Sequence, residues 1–157
     1  MTPKNTTDIA NALKRPFPLS ALSWRKGPGS SKELVYINAR DVMQRLDEVV
    51  GVDGWQDEYA WIGERMICKL SVRIGGEWVT KCDGADDTSI EGAKGGISDA
   101  LKRAAVKFGI GRYLYHPDAF NGRTPAEWAT PEGFNKLMAK RNDAEVKEFQ
   151  KELKKAS

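Results

Sequence analysis

The chain of 157 residues has few of the side chains on which most enzyme chemistries depend. It holds one histidine, His116, and two cysteines, so a two-histidine metal site and a disulfide scaffold are excluded. No GxxxxGK[ST] string occurs, and the glycine-rich stretch 27–32 has the wrong spacing for a phosphate-binding loop. The longest run without a charged residue spans nine residues (16–24), against the roughly 18 that cross a membrane. These absences argue against a motor ATPase and a membrane protein.

The overall composition is that of a folded protein from a reducing compartment. Apolar residues make up 40% and charged residues 30%, and no signal-peptide pattern opens the chain. We expect a cytoplasmic protein with a core over residues 1–120 and a helical extension over residues 121–157. His116 lies beside a proline and is expected on the surface, and the cysteines are expected to be buried as small apolar residues.

The net charge of +3 is unevenly distributed along the chain. It is +5 over residues 1–40, −7 over residues 41–93, +3 over residues 94–120 and +2 over the remainder. The two basic segments form one basic surface only if the fold brings them together. A mixed surface without a specific role is the simpler alternative.

Helical and strand periodicities together predict an α+β fold. A helix is expected over residues 39–50, because Asn38 is a favourable N-cap and apolar residues recur on one face. A three-stranded antiparallel meander is expected from Trp55 to about Asp83, because apolar and polar residues alternate from Arg65 to Ile74. The meander and its packed helices form the predicted core.

The register of the second hairpin can be argued from its turn. A two-residue turn at Gly75-Gly76 would place Leu70 opposite Lys81. A three-residue turn, 75–77, would place Leu70 opposite Cys82 and keep one face of the sheet apolar. Because a one-residue slip exposes a whole face, we expect the three-residue turn, with both cysteines on one face.

A second helix, from about Glu91 or Lys94 to Phe108, has an apolar face centred on Ile97, Leu101 and Phe108. Its opposite side carries Lys102 and Arg103, with Lys107 one turn beyond. Cations aimed outward from a rigid helix are typical of phosphate binding. A solubilising polar face is the alternative.

Two further segments carry candidate chemistry. Residues 24–32 are expected to form a polar loop whose Arg25 and Lys26, with the nearby Tyr36, make an aromatic and basic patch suited to single-stranded nucleic acid. The acidic loop 83–91 could gather a Mg²⁺ ion for a nuclease, although clustered acids are more often simply solvated. The acids of that loop are Asp83, Asp86, Asp87 and Glu91.

The C-terminal part is expected to be helical in pieces. Thr124-Pro125 and Thr130-Pro131 both have the form of a capped helix start with proline at the first helical position. The last segment predicts a weakly amphipathic helix through Val146, Phe149 and Leu153.

Several motifs in order along residues 25–115 resemble the Rad fifty-two (Rad52) family of single-strand annealing proteins. They are Tyr36-Ile37-Asn38-Ala39-Arg40-Asp41-Val42, Asp83-Gly84-Ala85, and the long string from Lys94 to Ala105 followed by Phe108-Gly109. The resemblance implies a curved antiparallel sheet against helices, a homo-oligomeric ring, and single-stranded DNA annealed in an outer basic groove without ATP or another cofactor. It implies no enzyme, no metal and no catalytic residue.

The resemblance also implies roles for individual residues. Lys102 and Arg103 correspond to two neighbouring basic residues on a helix that bind the DNA backbone. Arg25 corresponds to an arginine that lines the groove, with an offset of one residue because the loop length differs. Tyr36 corresponds to the tyrosine at the start of the following strand. Lys26 and Lys107 complete the predicted DNA-binding set. The family's second DNA site has no clear match, with Arg73 and Lys94 as its candidates, and the long partner-recruiting tail of the eukaryotic members has no match in this sequence. We therefore expect a short phage or bacterial type, with host or phage recombination proteins as partners.

Two other functions fit parts of the sequence. A double-stranded-RNA-binding module also combines a helix, three strands and a helix with a glycine-rich start before Lys/Arg–Ala repeats. A Mg²⁺-dependent nuclease would use the acidic loop.

Overall fold

The computed structural model describes residues 5–85 and 92–156 and confirms an α+β fold with antiparallel sheets. The helices are α1 (Thr6–Lys14), α2 (Ala39–Val50), α3 (Gly92–Val106) and α4 (Pro131–Ala156). The strands are β1 (Ser23–Lys26), β2 (Glu33–Tyr36), β3 (Trp55–Ile62), β4 (Arg65–Ile74), β5 (Glu77–Gly84), β6 (Phe120–Asn121) and β7 (Thr124–Pro125). Short 3₁₀ turns span Leu19–Ala21, Arg112–Tyr115 and Glu127–Ala129. No helix in these ranges is long and apolar enough to cross a membrane.

The predicted meander is present as the antiparallel sheet β3–β4–β5, but its second turn differs from the prediction. Leu70 pairs with Lys81 and Ile74 with Glu77, so the turn has two residues. Gly75 and Gly76 adopt φ values of 62° and 82°, the left-handed conformation that a tight hairpin turn needs at both central positions. The expected three-residue turn is therefore wrong.

Lys81 explains why the apolar-face argument failed. In the observed register it shares the inner face of the sheet with Leu70, and its ammonium lies 5.2 Å from the centroid of the Phe108 ring. The amine donates a hydrogen bond to the carbonyl of Lys107. A lysine stem thus covers apolar surface while its charge stays outside.

The same register separates the two cysteines, which were expected on one face. Cys68 is fully buried on the inner face, whereas Cys82 is exposed on the outer face. Burial raises the pKa of the Cys68 thiol to about 11, because the thiolate would lose its hydration. The expectation of burial thus holds for Cys68 and is wrong for Cys82.

Helix α3 lies across the inner face of the sheet through small residues. Ala100, Ala104 and Ala105 are completely buried, and Leu101 is nearly so. Small side chains let the helix approach the strands closely. Ile97, expected in the core, is 39% exposed because the contact surface is centred on the alanines.

Helix α2 begins and ends where the sequence predicts. Asn38 and Asp41 form a reciprocal capping box, and Gly51 follows the last turn. Arg45 in this helix is buried, and it donates hydrogen bonds to the carbonyls of Leu13 at 3.0 Å and Arg15 at 2.6 Å. Its guanidinium also lies 4.1 Å from the centroid of the Phe17 ring. Burial, reinforced by the charge of Arg15, lowers the pKa of Arg45.

The segment 24–32 is not one polar loop as expected. Its first residues belong to β1, which pairs with β2 from Ser23–Tyr36 to Lys26–Glu33, and residues 27–32 make the turn between them. The two strands form a separate two-stranded sheet. This hairpin places Arg25 and Tyr36 on two paired strands.

The C-terminal part is only partly as predicted. Thr124-Pro125 begins no helix, since these two residues pair with Phe120-Asn121 as a short ladder. Thr130 does cap a helix: its hydroxyl accepts a hydrogen bond from the Gly133 amide, and Pro131 opens α4. Residues 139–156 of this single long helix are exposed throughout.

Candidate nucleic-acid interface

A cleft of about 810 Å³ lies between the β1–β2 hairpin, helix α3 and the segment that follows α3. The hairpin supplies one wall, residues 99–106 of α3 a second, and residues 110–122 a third. Residues of the two basic segments, 1–40 and 94–120, thus line the same cleft. This is the condition under which the two segments form one basic surface.

Tyr36 is placed where the hairpin faces α3. The guanidinium of Arg25 lies 5.4 Å from the centroid of its ring, and the ammonium of Lys102 lies 5.7 Å from it. Both distances are in the range of cation–π contacts. One aromatic ring therefore shares its surroundings with cations from two different elements of the fold.

Arg103, the neighbour of Lys102 on α3, also lines the cleft but is held by an acid. Its Nε lies 3.5 Å from a carboxylate oxygen of Asp83, at the end of β5. Lys107 approaches the same carboxylate at 4.0 Å and donates a hydrogen bond to the carbonyl of Cys82. Asp83 thus holds two cations at the junction of α3 and β5.

An ion pair connects the β1–β2 hairpin to the end of the third wall of the cleft. Arg123 donates two hydrogen bonds to the carboxylate of Glu33, at 2.7 and 2.6 Å. These bonds lower the pKa of Glu33 and raise that of Arg123. The same guanidinium lies 5.6 Å from the centroid of the Trp24 ring, which meets Phe120 edge-on at 5.3 Å. These contacts join the hairpin to residues 120–123 at the aromatic end of the cleft.

The cleft has an excess of positive charge. Four cationic side chains line it, and the acids that line it are Glu33, which Arg123 neutralises, and Asp99. The four cations are Arg25, Lys32, Lys102 and Arg103. Cations beside aromatic rings are the surroundings that single-stranded nucleic acids favour, since phosphates pair with the cations and bases stack on the rings.

The structure brings together four of the six predicted binding residues and leaves two elsewhere. Arg25, Tyr36, Lys102 and Arg103 line the cleft, whereas Lys26 and Lys107 are not among its lining residues. Lys107 turns toward β5, because its amine finds the Cys82 carbonyl and Asp83 there.

Sequence reasoning did not find the third wall. Residues 110–122, with Phe120, contain none of the predicted binding residues, and neither Lys32 nor Arg123 belongs to the predicted DNA-binding set. The glycines at 109, 111 and 122 were the available signal, since all three adopt positive φ and mark tight turns of an ordered segment.

Most of the acidic loop, where a Mg²⁺ site was one alternative, lies outside the described residues. Asp83 is engaged by Arg103 and Lys107, while Asp86, Asp87 and Glu91 lie outside the described residues. Within residues 5–85 and 92–156, no group of three His, Cys, Asp or Glu side chains is placed to hold a metal ion. His116 is exposed, as expected; its Nδ1 accepts a hydrogen bond from the Asp118 amide.

Comparisons with known proteins include a family match over all the residues that line the cleft. A model of the Rad52/22 family of double-strand break repair proteins matches residues 5–128. A protein named single-stranded DNA-binding protein DdrA, from Deinococcus radiodurans, is 33% identical over 130 residues, which cover 78% of this chain and 59% of the relative. The protein of the same name from Deinococcus deserti is 35% identical over 116 residues, covering 69% and 57%. The chain thus matches less than two thirds of the length of either relative.

Proposed function

The chain belongs to the Rad52/22 family of double-strand break repair proteins, and on that premise we propose that it binds single-stranded DNA and anneals complementary strands without ATP. The observation that carries the proposal is the ring of Tyr36 beside Arg25 and Lys102, inside a cleft with excess positive charge. The names of the two DdrA relatives add support for single-stranded DNA as the ligand.

The cleft performs annealing by holding one strand through its backbone. Arg25, Lys102 and Arg103 neutralise phosphates, and Tyr36 stacks on a base. Contacts of this kind carry no sequence information and leave the pairing edges of the other bases free. Because neutralised phosphates no longer repel an incoming strand, a complementary strand pairs while a mismatched one dissociates. No covalent bond is made or broken, and we assign no catalytic residue and no cofactor.

A single strand is favoured over duplex RNA by the aromatic content of the cleft. Trp24, Tyr36 and Tyr115 all line it. Aromatic rings gain stacking energy from unpaired bases, whereas duplex RNA is recognised mainly through its backbone and hydroxyl groups.

The proposal includes the assembly and organisation of the chain. We propose a closed homo-oligomer with the meander at the contact between copies, since β3 and β5 are edge strands of their sheet. Residues 1–120 form the binding and annealing core, and residues 121–157 form an extension available to recombination proteins of a bacterial host or phage. We place this activity in the bacterial cytoplasm.

The decisive experiment is annealing of two complementary oligonucleotides in the absence of nucleotide and metal. We expect duplex to form faster than without protein, and a non-complementary pair, the control, to form none. Equal rates with and without protein would refute annealing. Binding to double-stranded RNA in preference to single-stranded DNA, or Mg²⁺-dependent cleavage of labelled DNA, would point to the alternative functions.

A further inference from the structure

A second cavity, of about 600 Å³, lies beyond the third wall of the cleft. The end of α1, the segment 109–117 and the first turns of α4 line it. Residues 115–117 line the cavity and the cleft alike, so one short segment separates the two spaces. The proposed binding of a DNA strand in the cleft makes no use of this cavity.

Helix α4 is held firmly where it borders the cavity. Gly133 lies so close to the carbonyl of Glu127 that a side chain at this position would collide with it. The Gly133 amide donates a hydrogen bond to the hydroxyl of Thr130, and the neighbouring Phe134 is buried. Because its α4 wall is anchored in this way, the cavity exists before any ligand arrives.

The interior of the cavity is apolar. Pro16 and Phe134 line it and are buried, and Met138 lines it from the same helix as Phe134. Leu137 also lines it and is 43% exposed. A ligand that covers Leu137 takes aliphatic surface out of water, which favours a bulky apolar group.

Three cations line the cavity as well: Lys14, Arg112 and Arg141, which we call the basic rim. None of the described residues that line the cavity is acidic. Within the part of the chain that the structure describes, Lys14 and Arg141 form no ion pair. Arg112 donates hydrogen bonds at 2.9 Å to the carbonyls of Val106 and Lys107, which are neutral and leave its charge in place. The basic rim therefore attracts anionic groups.

The interior favours a protein segment over a nucleic acid as the source of these anions. Bases stack on free ring faces, but Trp128 already meets His116 edge-on at 5.2 Å, and Phe134 is buried. Tyr115 is exposed, but it belongs to the segment shared with the cleft. The open surface at Leu137 is aliphatic, and the polar edges of a base would lose hydrogen bonds to water there.

We propose that this cavity binds a short acidic segment of a partner protein, with a bulky apolar side chain in the interior and carboxylates on the basic rim. Burial of the apolar side chain supplies affinity, and the three cations select segments that carry carboxylates. The inference deepens the partner contact proposed for residues 121–157 and rests on it. Since residues 115–117 border both spaces, the partner lies beside the strand that the cleft holds.

The test measures fluorescence anisotropy of a fluorescein-labelled peptide with the full chain. The peptide carries a Leu-Phe pair between two Asp-Asp pairs, and we expect saturable binding that weakens as salt is added. One control peptide has Lys in place of every Asp, and another has Ser-Ser in place of Leu-Phe. Each control should bind at least about 10-fold more weakly, because it lacks the charges or the apolar group.

Substitutions locate the binding site. Arg141→Glu should weaken binding of the acidic peptide by about 3- to 30-fold, because an attraction is replaced by a repulsion. Leu137→Gln should weaken it by about 3- to 10-fold, because less apolar surface is buried. Lys147→Glu and Leu153→Gln make matched changes on α4 outside the cavity and should bind like the parent. Circular dichroism and thermal unfolding verify that each variant is folded.

Four outcomes would overturn the site. The acidic peptide shows no saturable binding, or the two control variants lose as much affinity as the cavity variants. Cavity variants that bind single-stranded DNA more weakly, in a chain that binds no peptide, would assign the cavity to nucleic acid. Cavity variants with a changed oligomeric mass, again without peptide binding, would assign it to a contact between copies.

Lys102→Ala separates this site from the strand-binding cleft. Lys102 lines the cleft and not the cavity, so the variant should lose affinity for single-stranded DNA and bind the acidic peptide like the parent. A chain that binds the peptide but anneals no DNA would refute the proposed function and leave the site standing. A chain that anneals DNA but binds no peptide would refute the site alone.

Discussion

The ammonium of Lys102 lies 5.7 Å from the centroid of the Tyr36 ring, although the three-stranded sheet separates the two residues along the chain. Arg25 approaches the same ring to 5.4 Å from the strand that pairs with Tyr36. A single position in the cleft thus offers an aromatic face and two cations. On the proposed function, a nucleotide placed there would stack its base on the ring and pair its phosphate with a cation.

Tyr36→Ala should weaken single-stranded DNA binding by about 5- to 150-fold, the range for losing one stacked base, about 1–3 kcal/mol. The slope of log K against log salt should stay unchanged, because no phosphate contact is lost. Tyr36→Phe keeps the ring and serves as the control, with affinity near the parent value. Fluorescence anisotropy over a salt series measures both quantities. Equal weakening by the two variants would contradict stacking.

Lys102→Ala and Arg103→Ala should each weaken binding to every single-stranded sequence alike. The salt slope should flatten by about 0.7 for each phosphate contact removed. Lys107→Ala is the matched control on the same helix, since its amine faces β5, and should change the slope little. The assignment fails if the Lys102 and Arg103 variants bind like the parent, or if Lys107→Ala has the largest effect.

Asp83→Asn should tighten single-stranded DNA binding. The carboxylate competes with phosphates for Arg103, which it approaches to 3.5 Å. Exposed ion pairs contribute at most about 1 kcal/mol, so we expect a gain of no more than about fivefold. Glu77→Gln makes the same charge change at the other end of β5. If it tightens binding equally, net charge alone is responsible.

The ion pair of Glu33 with Arg123 predicts a pH dependence of the hairpin. A carboxyl whose pKa is lower in the folded chain stabilises the fold above its unfolded pKa, and this stabilisation is lost as the pH falls through the folded value. Arg123→Gln should move the pKa of Glu33 back toward its ordinary value and flatten the acid side of the stability curve. Carboxyl NMR titration measures the pKa, and Arg141→Gln is the control. An unchanged Glu33 titration in Arg123→Gln would contradict the prediction.

Truncation after residue 141 should leave folding and strand binding in place. Residues 142–156 of α4 are all exposed, and their apolar stripe packs on no described residue of the core. We expect the free energy of unfolding to change by no more than about 1 kcal/mol. Thermal and denaturant unfolding of both chains, with oligonucleotide affinity, provide the check. A truncated chain that unfolds or fails to bind would place the whole helix inside the core.

Local signals in the sequence predicted the elements of the fold better than their pairing. Asn38 and Gly51 fix α2 because capping depends on neighbouring residues. The predicted register of β5 was wrong, because it did not place Lys81 on the inner face. Lys81 contacts Phe108 there, and Phe108 belongs to another part of the chain. Strand β1 was missed because Trp24-Arg25-Lys26 has no apolar alternation and is a strand only beside β2.

The residues of the candidate site also fall into a group that the local sequence predicts and a group that it does not. Lys102 and Arg103 were predictable, since helical periodicity directs them away from the buried alanines. The other wall of the cleft depends on Glu33 meeting Arg123, and on Trp24 meeting Phe120, across most of the chain. Neither pair has a local signature, because ion pairs and ring contacts between distant segments are products of the folded topology.

The buried guanidinium of Arg45 makes the first helix part of the cooperative unit that contains the core. The carbonyls at the end of α1 have no hydrogen-bond donors within the helix, and the Arg45 side chain from α2 donates hydrogen bonds to them. Unwinding the end of α1 would leave the buried guanidinium of Arg45 without its hydrogen-bond acceptors. The free-energy cost is far larger than that of fraying an ordinary helix end. We therefore expect the mostly polar N-terminal helix to open together with α2, rather than ahead of it.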